Sequence, residues 1–75
     1  MTISVATFYR FVPLQDLPEL QSRVRRQCQA LGLKGTVLLA GEGINATLCG
    51  DRSGLEALLA QLSADPRFAA LEPRW

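Results

Sequence analysis

The stretch Leu38–Gly50, LLAGEGINATLCG, decides the fold. Two apolar runs flank Gly41-Glu42-Gly43, and a connection of that length between such runs is a hairpin turn. Gly35–Ala40 and Ile44–Cys49 are therefore read as two paired strands. Asn45 stands out in the second of them, because asparagine is a poor strand former whose amide both donates and accepts hydrogen bonds. The glycines permit φ values that other residues avoid, so the segment serves either as a sharp surface turn or as a presenter of backbone and Asn45 to a ligand. The residues alone leave both readings open.

Outward from the hairpin, Ile3–Phe11 alternates and is rich in β-branched and aromatic residues. Ile3, Val5, Thr7 and Tyr9 fall on one face, and Ser4, Ala6, Phe8 and Arg10 on the other. Val12-Pro13-Leu14-Gln15 breaks this strand, since proline lacks a donor. Asp16 with Glu19 has the spacing of a capping box, and Leu20, Val24, Cys28 and Leu31 then recur at helical intervals up to Gly32. After the hairpin, Ser53 and Glu56 have the same box spacing. Leu55, Leu58, Leu59 and Leu62 form the buried stripe of a second helix, ended by Asp65-Pro66. The order β-α-β-β-α predicts an α+β ferredoxin-like split β-α-β domain, βαββαβ when complete. Only Phe68–Trp75 remains for the last strand, at a sheet edge where Pro73 is tolerable. The expectation is one domain over 1–75, a fragment starting at a natural Met1 and cut short within its last strand.

With 75 residues the chain holds one domain of modest stability. Its 8 basic and 7 acidic residues leave a net charge of +1, so no strongly basic nucleic-acid module is indicated by totals. No apolar run approaches the roughly 18–20 residues of a membrane span, and the N-terminus lacks a signal-peptide pattern, which reads as cytoplasmic. With no histidine and two cysteines of no repeated spacing, neither a metal-site pattern nor an imidazole base is present.

In the runs ISVATFYRF, LGLKGTVLLAGEGINATLCG and ADPRFAALEPRW, the chain resembles the N-terminal domain of the rhodanese-related tRNA uridine hydroxylases. The most specific part is Lys34 through Gly50, centred on Glu42-Gly43-Ile44-Asn45. The resemblance implies an acylphosphatase-like ferredoxin fold followed, in the intact protein, by a rhodanese domain that carries the reactive cysteine. It implies hydroxylation of the wobble uridine of tRNA with molecular oxygen by that intact protein. Nothing in this chain corresponds to the rhodanese domain. The chain is therefore expected to be an accessory part, without catalytic residues, cofactor or metal of its own, that positions tRNA or docks the rhodanese domain.

Other chemistry is weighed residue by residue. Cys49-Gly50-Asp51-Arg52-Ser53-Gly54 has the outline of an anion cradle with an activated thiolate, but a phosphatase-like arginine would belong where Leu55 sits. Cys28 reads as a small core residue. An acylphosphatase needs a glycine-bearing loop after the first strand, and Arg10–Gln15 has no glycine with which to form a phosphate nest. Arg23, Arg25 and Arg26 spread around the solvent half of the first helix. The third strand lacks the aromatics of an RNA-recognition motif, so basic side chains would make most RNA contacts. The candidate interdomain or RNA-contact residues are Glu42, Gly43, Asn45, Arg10, Lys34 and Arg52. A small-molecule regulatory or protein-interaction module is the alternative, and an acylphosphatase-like hydrolase the least favoured. An exposed edge on the first strand also predicts self-association.

Overall fold

Ser4–Phe11 forms β1, Leu17–Ala30 α1, Lys34–Ala40 β2, Gly43–Gly50 β3 and Arg52–Ser63 α2, and Pro66–Phe68 makes a single 3-10 turn. The computed structural model describes residues 3–75, so the expected start at Met1 lies outside the described residues. The strands pair antiparallel in the order β1-β3-β2, with β3 central. At the outer side of β1, Thr7 and Arg74 exchange both backbone hydrogen bonds, at 2.8 and 2.7 Å. That bridge stands where the last strand of the split β-α-β pattern belongs, so the described sheet is a ferredoxin-like one with its final strand only begun. It also closes part of the β1 edge that the sequence left bare, and β2 remains as the other edge.

Pleating sends alternate side chains to opposite faces. Ala6 and Phe8 of β1 and Ile44, Ala46 and Leu48 of β3 are all buried beneath the helices. Above them α1 contributes Leu20 and Val24, one helical turn apart, and α2 contributes Leu55, Leu58, Leu59 and Leu62. Gly32 ends α1 with a φ of 69°, the left-handed conformation that glycine adopts without penalty. The strand boundaries read from sequence hold to within a residue at each end.

The two expected capping boxes do not form. Asp16 occupies the N-cap of α1 but makes no capping bond through its side chain, and Asp51 rather than Ser53 stands at the N-cap of α2. Each box is displaced by a stronger partner, because a guanidinium offers a charged fork where a backbone amide offers one neutral donor. Glu56 accepts from Arg52 Nε at 3.0 Å, and the Asp16 carboxylate is taken by Arg67.

Arg67 ties the ends of both helices together. It donates to Asp16 at 2.6 and 3.3 Å, through Nη1 and Nη2, and to Asp65 at 3.1 Å through Nε and 2.7 Å through Nη2. Asp65 also accepts the Arg67 backbone N–H at 3.0 Å, which caps the 3-10 turn and holds Phe68, fully buried, against the core. The Arg67 side chain, helped by that backbone N–H and by Arg23, holds the Asp65 carboxyl well below the usual carboxylate range. Asp16 is lowered in the same way, first by Arg67.

The hairpin is closed by a two-residue turn, Gly41-Glu42, with Ala40 paired to Gly43. Positive φ falls at Gly43, at 149°, and not at Gly41. Gly43 lies opposite Phe11, and a Cβ there would overlap the carbonyl oxygen of Arg10. The turn in turn accepts from the segment after β1: Val12 N–H donates to the Glu42 carbonyl and Leu14 N–H to the Gly41 carbonyl, both at 3.0 Å.

Two outcomes are expected from these contacts. Gly43→Ala should destabilise the chain by about 1–3 kcal/mol in urea unfolding, from strained φ and the clash. Gly41→Ala, whose nearest neighbour would be the Leu14 carbonyl oxygen at 3.8 Å, should stay within about 0.5 kcal/mol of the parent. For pH, a carboxyl lowered in the folded state contributes stability above its unfolded value and loses it as pH falls. Unfolding followed by circular dichroism should therefore show stability dropping below about pH 4. Asp65→Asn should be less stable at neutral pH and flatter across that acid range.

Candidate functional site

Among the described residues, no element covers the face of the sheet away from the helices. By register its cross-strand rows are Phe11–Gly43–Ala40, Tyr9–Asn45–Leu38, Thr7–Thr47–Thr36 and Val5–Cys49–Lys34. Tyr9, Phe11 and Leu38 are 65%, 82% and 62% exposed, and they surround Asn45 at the hairpin end. The rings of Tyr9 and Phe11 meet edge to face with centroids 5.5 Å apart. Gly43 and Ala40 keep the surface low beside them, so a shallow apolar depression runs between Phe11 and Leu38 with Asn45 at its side. Large apolar side chains this exposed, clustered around one amide, make a surface suited to covering by another molecule.

Alternation puts Asn45, Thr47 and Cys49 on one face of β3, and that face is the open one. Ile44 points the other way and is buried, which anchors the hairpin beside the outward amide. Glu42 lies at the exposed tip and Gly43 at the first pair of the ladder. Lys34 shares the open face but stands two rows beyond Asn45's immediate neighbours, at about 13 Å along the strand. The other two basic candidates are engaged elsewhere. Arg10 projects on the helix side and donates to the carbonyls of Ala69 at 3.0 Å and Arg67 at 3.5 Å. Arg52 pairs with Glu56 and stacks over the Trp75 ring, 3.6 Å from its centroid.

Of the three aromatics of β1, Phe8 is in the core, while Tyr9 and Phe11 are on the open face. Leu38 was not singled out. Its signal was available, since strict alternation through Val37 and Leu39 puts Leu38 opposite Asn45.

The remaining chemistry is committed to the fold. In the segment that would have to cradle a phosphate, the Val12 and Leu14 amides donate to the hairpin turn and Pro13 has none to offer. Leu55, in the position a cradle arginine would need, is buried. Burial pushes the Cys28 thiol up, against thiolate formation, and Cys28 packs at the margin of the core. Among the described residues no group of His, Cys, Asp and Glu is placed to hold a metal ion, and no helix is long and apolar enough to cross a membrane.

The chain is similar over nearly its whole length to proteins named tRNA uridine(34) hydroxylase. It is 49% identical to one from Thiobacillus denitrificans across 99% of this chain and 30% of the relative. It is 46% identical to one from Cupriavidus taiwanensis across 99% of this chain and 26% of the relative. With one from Bordetella avium the identity is 47%, over all of this chain and 31% of the relative. The chain thus spans less than a third of the length of these curated relatives. The family described as UPF0176 acylphosphatase like domain matches residues 3–75, the same span that forms the sheet, its two helices and the terminal bridge. This chain belongs to the UPF0176 acylphosphatase-like domain family.

Proposed function

We propose that this domain is an accessory N-terminal part of a tRNA uridine(34) hydroxylase, and that its open sheet face seats the remainder of that larger protein beside the tRNA. The observation that carries the reading is the cluster of exposed Tyr9, Phe11 and Leu38 around Asn45, on the face that no helix covers. The relatives' names supply the activity, and their greater length supplies a partner surface in the same polypeptide. Asn45 gives that contact a polar fix, because an amide left unpaired under an apolar cover is costly and so selects a partner that pairs it. Ile44 and the Gly43 close approach keep the hairpin rigid, as a site shared between two domains requires.

In this reading the chain performs no chemistry itself. The hydroxylation that consumes molecular oxygen takes place at a centre in the rest of the protein, the rhodanese domain that the resemblance implies. The domain works where tRNA is modified, in the cytoplasm. Lys34, exposed on the same face, is the candidate cation best placed to meet an RNA phosphate. Arg10 and Arg52 act within the fold, and Glu42 and Gly43 shape the tip that borders the contact.

The test is to graft this chain in place of the matching segment of the Thiobacillus denitrificans relative. Asn45→Ala should leave thermal unfolding within about 0.5 kcal/mol while tRNA hydroxylation falls. Ile44→Ala should lose about 2–5 kcal/mol of stability through the cavity it leaves. Full hydroxylation by Asn45→Ala, or an activity loss that only tracks its stability, would sink the proposal.

A further inference from the structure

A groove of about 770 Å³ runs along the outer side of β1, between that strand and residues 70–74. It shares only Arg10 and Phe11 with the depression beside Asn45. The Thr7–Arg74 bridge joins its two walls, and farther along the Arg10 guanidinium holds the Ala69 carbonyl at 3.0 Å. Between these ties residues 70–73 form no bridge to β1, and Ala70 turns the chain with a left-handed φ of 58°.

The pleat decides what faces the groove. Thr7 spends its N–H and C=O outward on Arg74, and the period of two along β1 turns those of Tyr9 and Phe11 the same way. Among the described residues no backbone partner takes them. The exposed rings of Tyr9 and Phe11 stand on the open-face side of the lining, and Arg74, directly across from Thr7, projects to that same face. Among the described residues Arg74 makes no ion pair. Buried Leu71 closes the groove beneath, and Glu72 is the one carboxylate that lines it.

We propose that this groove binds an unpaired nucleotide of RNA, cytidine or adenosine, in which an exocyclic amine adjoins a ring acceptor. Tyr9 offers its N–H and C=O side by side on one edge, which suits that acceptor and that amine together. The amine's second hydrogen is left for Glu72, which would instead repel the carbonyl that uracil carries there. The two rings give a stacking face, and Arg74 meets the phosphate. Length excludes a peptide strand. Only Tyr9 and Phe11 have free backbone groups here, short of the roughly five or six residues of a usual strand, and the tied segment 70–74 occupies the line an added strand would follow. Placing the nucleotide in tRNA rests on the function proposed above, whereas the groove's fit to the nucleotide does not.

Cytidine and uridine monophosphates, which differ at this amine, and the tetranucleotides of each are titrated into the isotope-labelled 75-residue chain and followed by amide NMR shifts. Shifts should centre on Tyr9–Phe11 and residues 70–74. The cytidine tetranucleotide should bind at least about tenfold tighter than the uridine one, a difference of about 1.4 kcal/mol, and tighter than cytidine monophosphate. Glu72→Ala should bring the two tetranucleotides to equal affinity. Arg74→Gln should weaken both alike and lower the salt slope of binding by about one. Both side chains are exposed, and the amide spectra check that the variants are folded. Absence of shifts at millimolar nucleotide overturns the proposal, as do equal affinity of the parent chain for cytidine and uridine or shifts centred on Leu38 and Asn45. A monophosphate that binds as tightly as its tetranucleotide overturns the RNA source in favour of a free nucleotide. A capped Thr-Val-Thr-Val-Thr-Val peptide that shifts Tyr9 and Phe11 at lower concentration than RNA overturns it in favour of a strand. None of these titrations reads hydroxylation by the grafted enzyme, so this site and the docking face fail separately.

Discussion

A sheet has two faces, and this chain owns helices enough for one. β3 sits at the centre, and its inward residues Ile44, Ala46 and Leu48 belong to one buried cluster with side chains of both helices. Once they are buried, the period of two in an extended strand leaves no choice for Asn45 and Thr47, which face away. The neighbouring strands inherit the same division through their register with β3, so that Phe8 is interior while Tyr9 and Phe11 are bare. The open face around Asn45 is thus the unavoidable reverse side of the core.

A one-sided arrangement of this size is stabilised only modestly by its core, and its helix ends need other ties. The fork of Arg67 supplies one by gripping Asp16, at the start of α1, and Asp65, just past α2. Each carboxylate takes two donors of one rigid group, so the pairs restrict geometry as well as neutralising charge. Solvent reaches these groups, which limits what the pairs contribute to stability. Their clearer effect is positional, since Asp65 caps the turn that delivers Phe68 into the core.

The likeness to acylphosphatases is a likeness of fold, and the structure gives a reason for the activity not to follow. Backbone amides after β1 would have to converge on an anion, yet those of Val12 and Leu14 converge on the hairpin turn. The same hydrogen bonds brace the hairpin from below. The segment after β1 thus supports the Gly41-Glu42 turn with the amides that an anion cradle would have used. The hairpin that joins β2 to β3 uses one of the two rows of backbone groups of β2, and among the described residues no strand pairs with the other.

Much of the architecture was legible in local pattern. Alternation in Ile3–Phe11, helical spacing from Leu20 to Leu31 and from Leu55 to Leu62, and the hairpin at Gly41-Glu42-Gly43 are short-range signals that tertiary context had no cause to override. Asn45 could be assigned to the open face for the same reason. The capping box at Ser53 misled because Glu56 pairs with Arg52, four positions back, and the one at Asp16 because its carboxylate is taken by Arg67, 51 positions away in the chain. Long-range competition of that kind leaves no trace in spacing. The engagement of Arg10 with the Arg67 and Ala69 carbonyls and of Arg52 with Trp75 was hidden likewise, as was the use of Val12 and Leu14 amides by the turn. By itself the sequence determined which residues alternate, where the chain turns and what could be buried. Only the tertiary structure decided which polar groups were already spent on one another, because hydrogen bonds and ion pairs depend on distances in space that no period along the chain encodes.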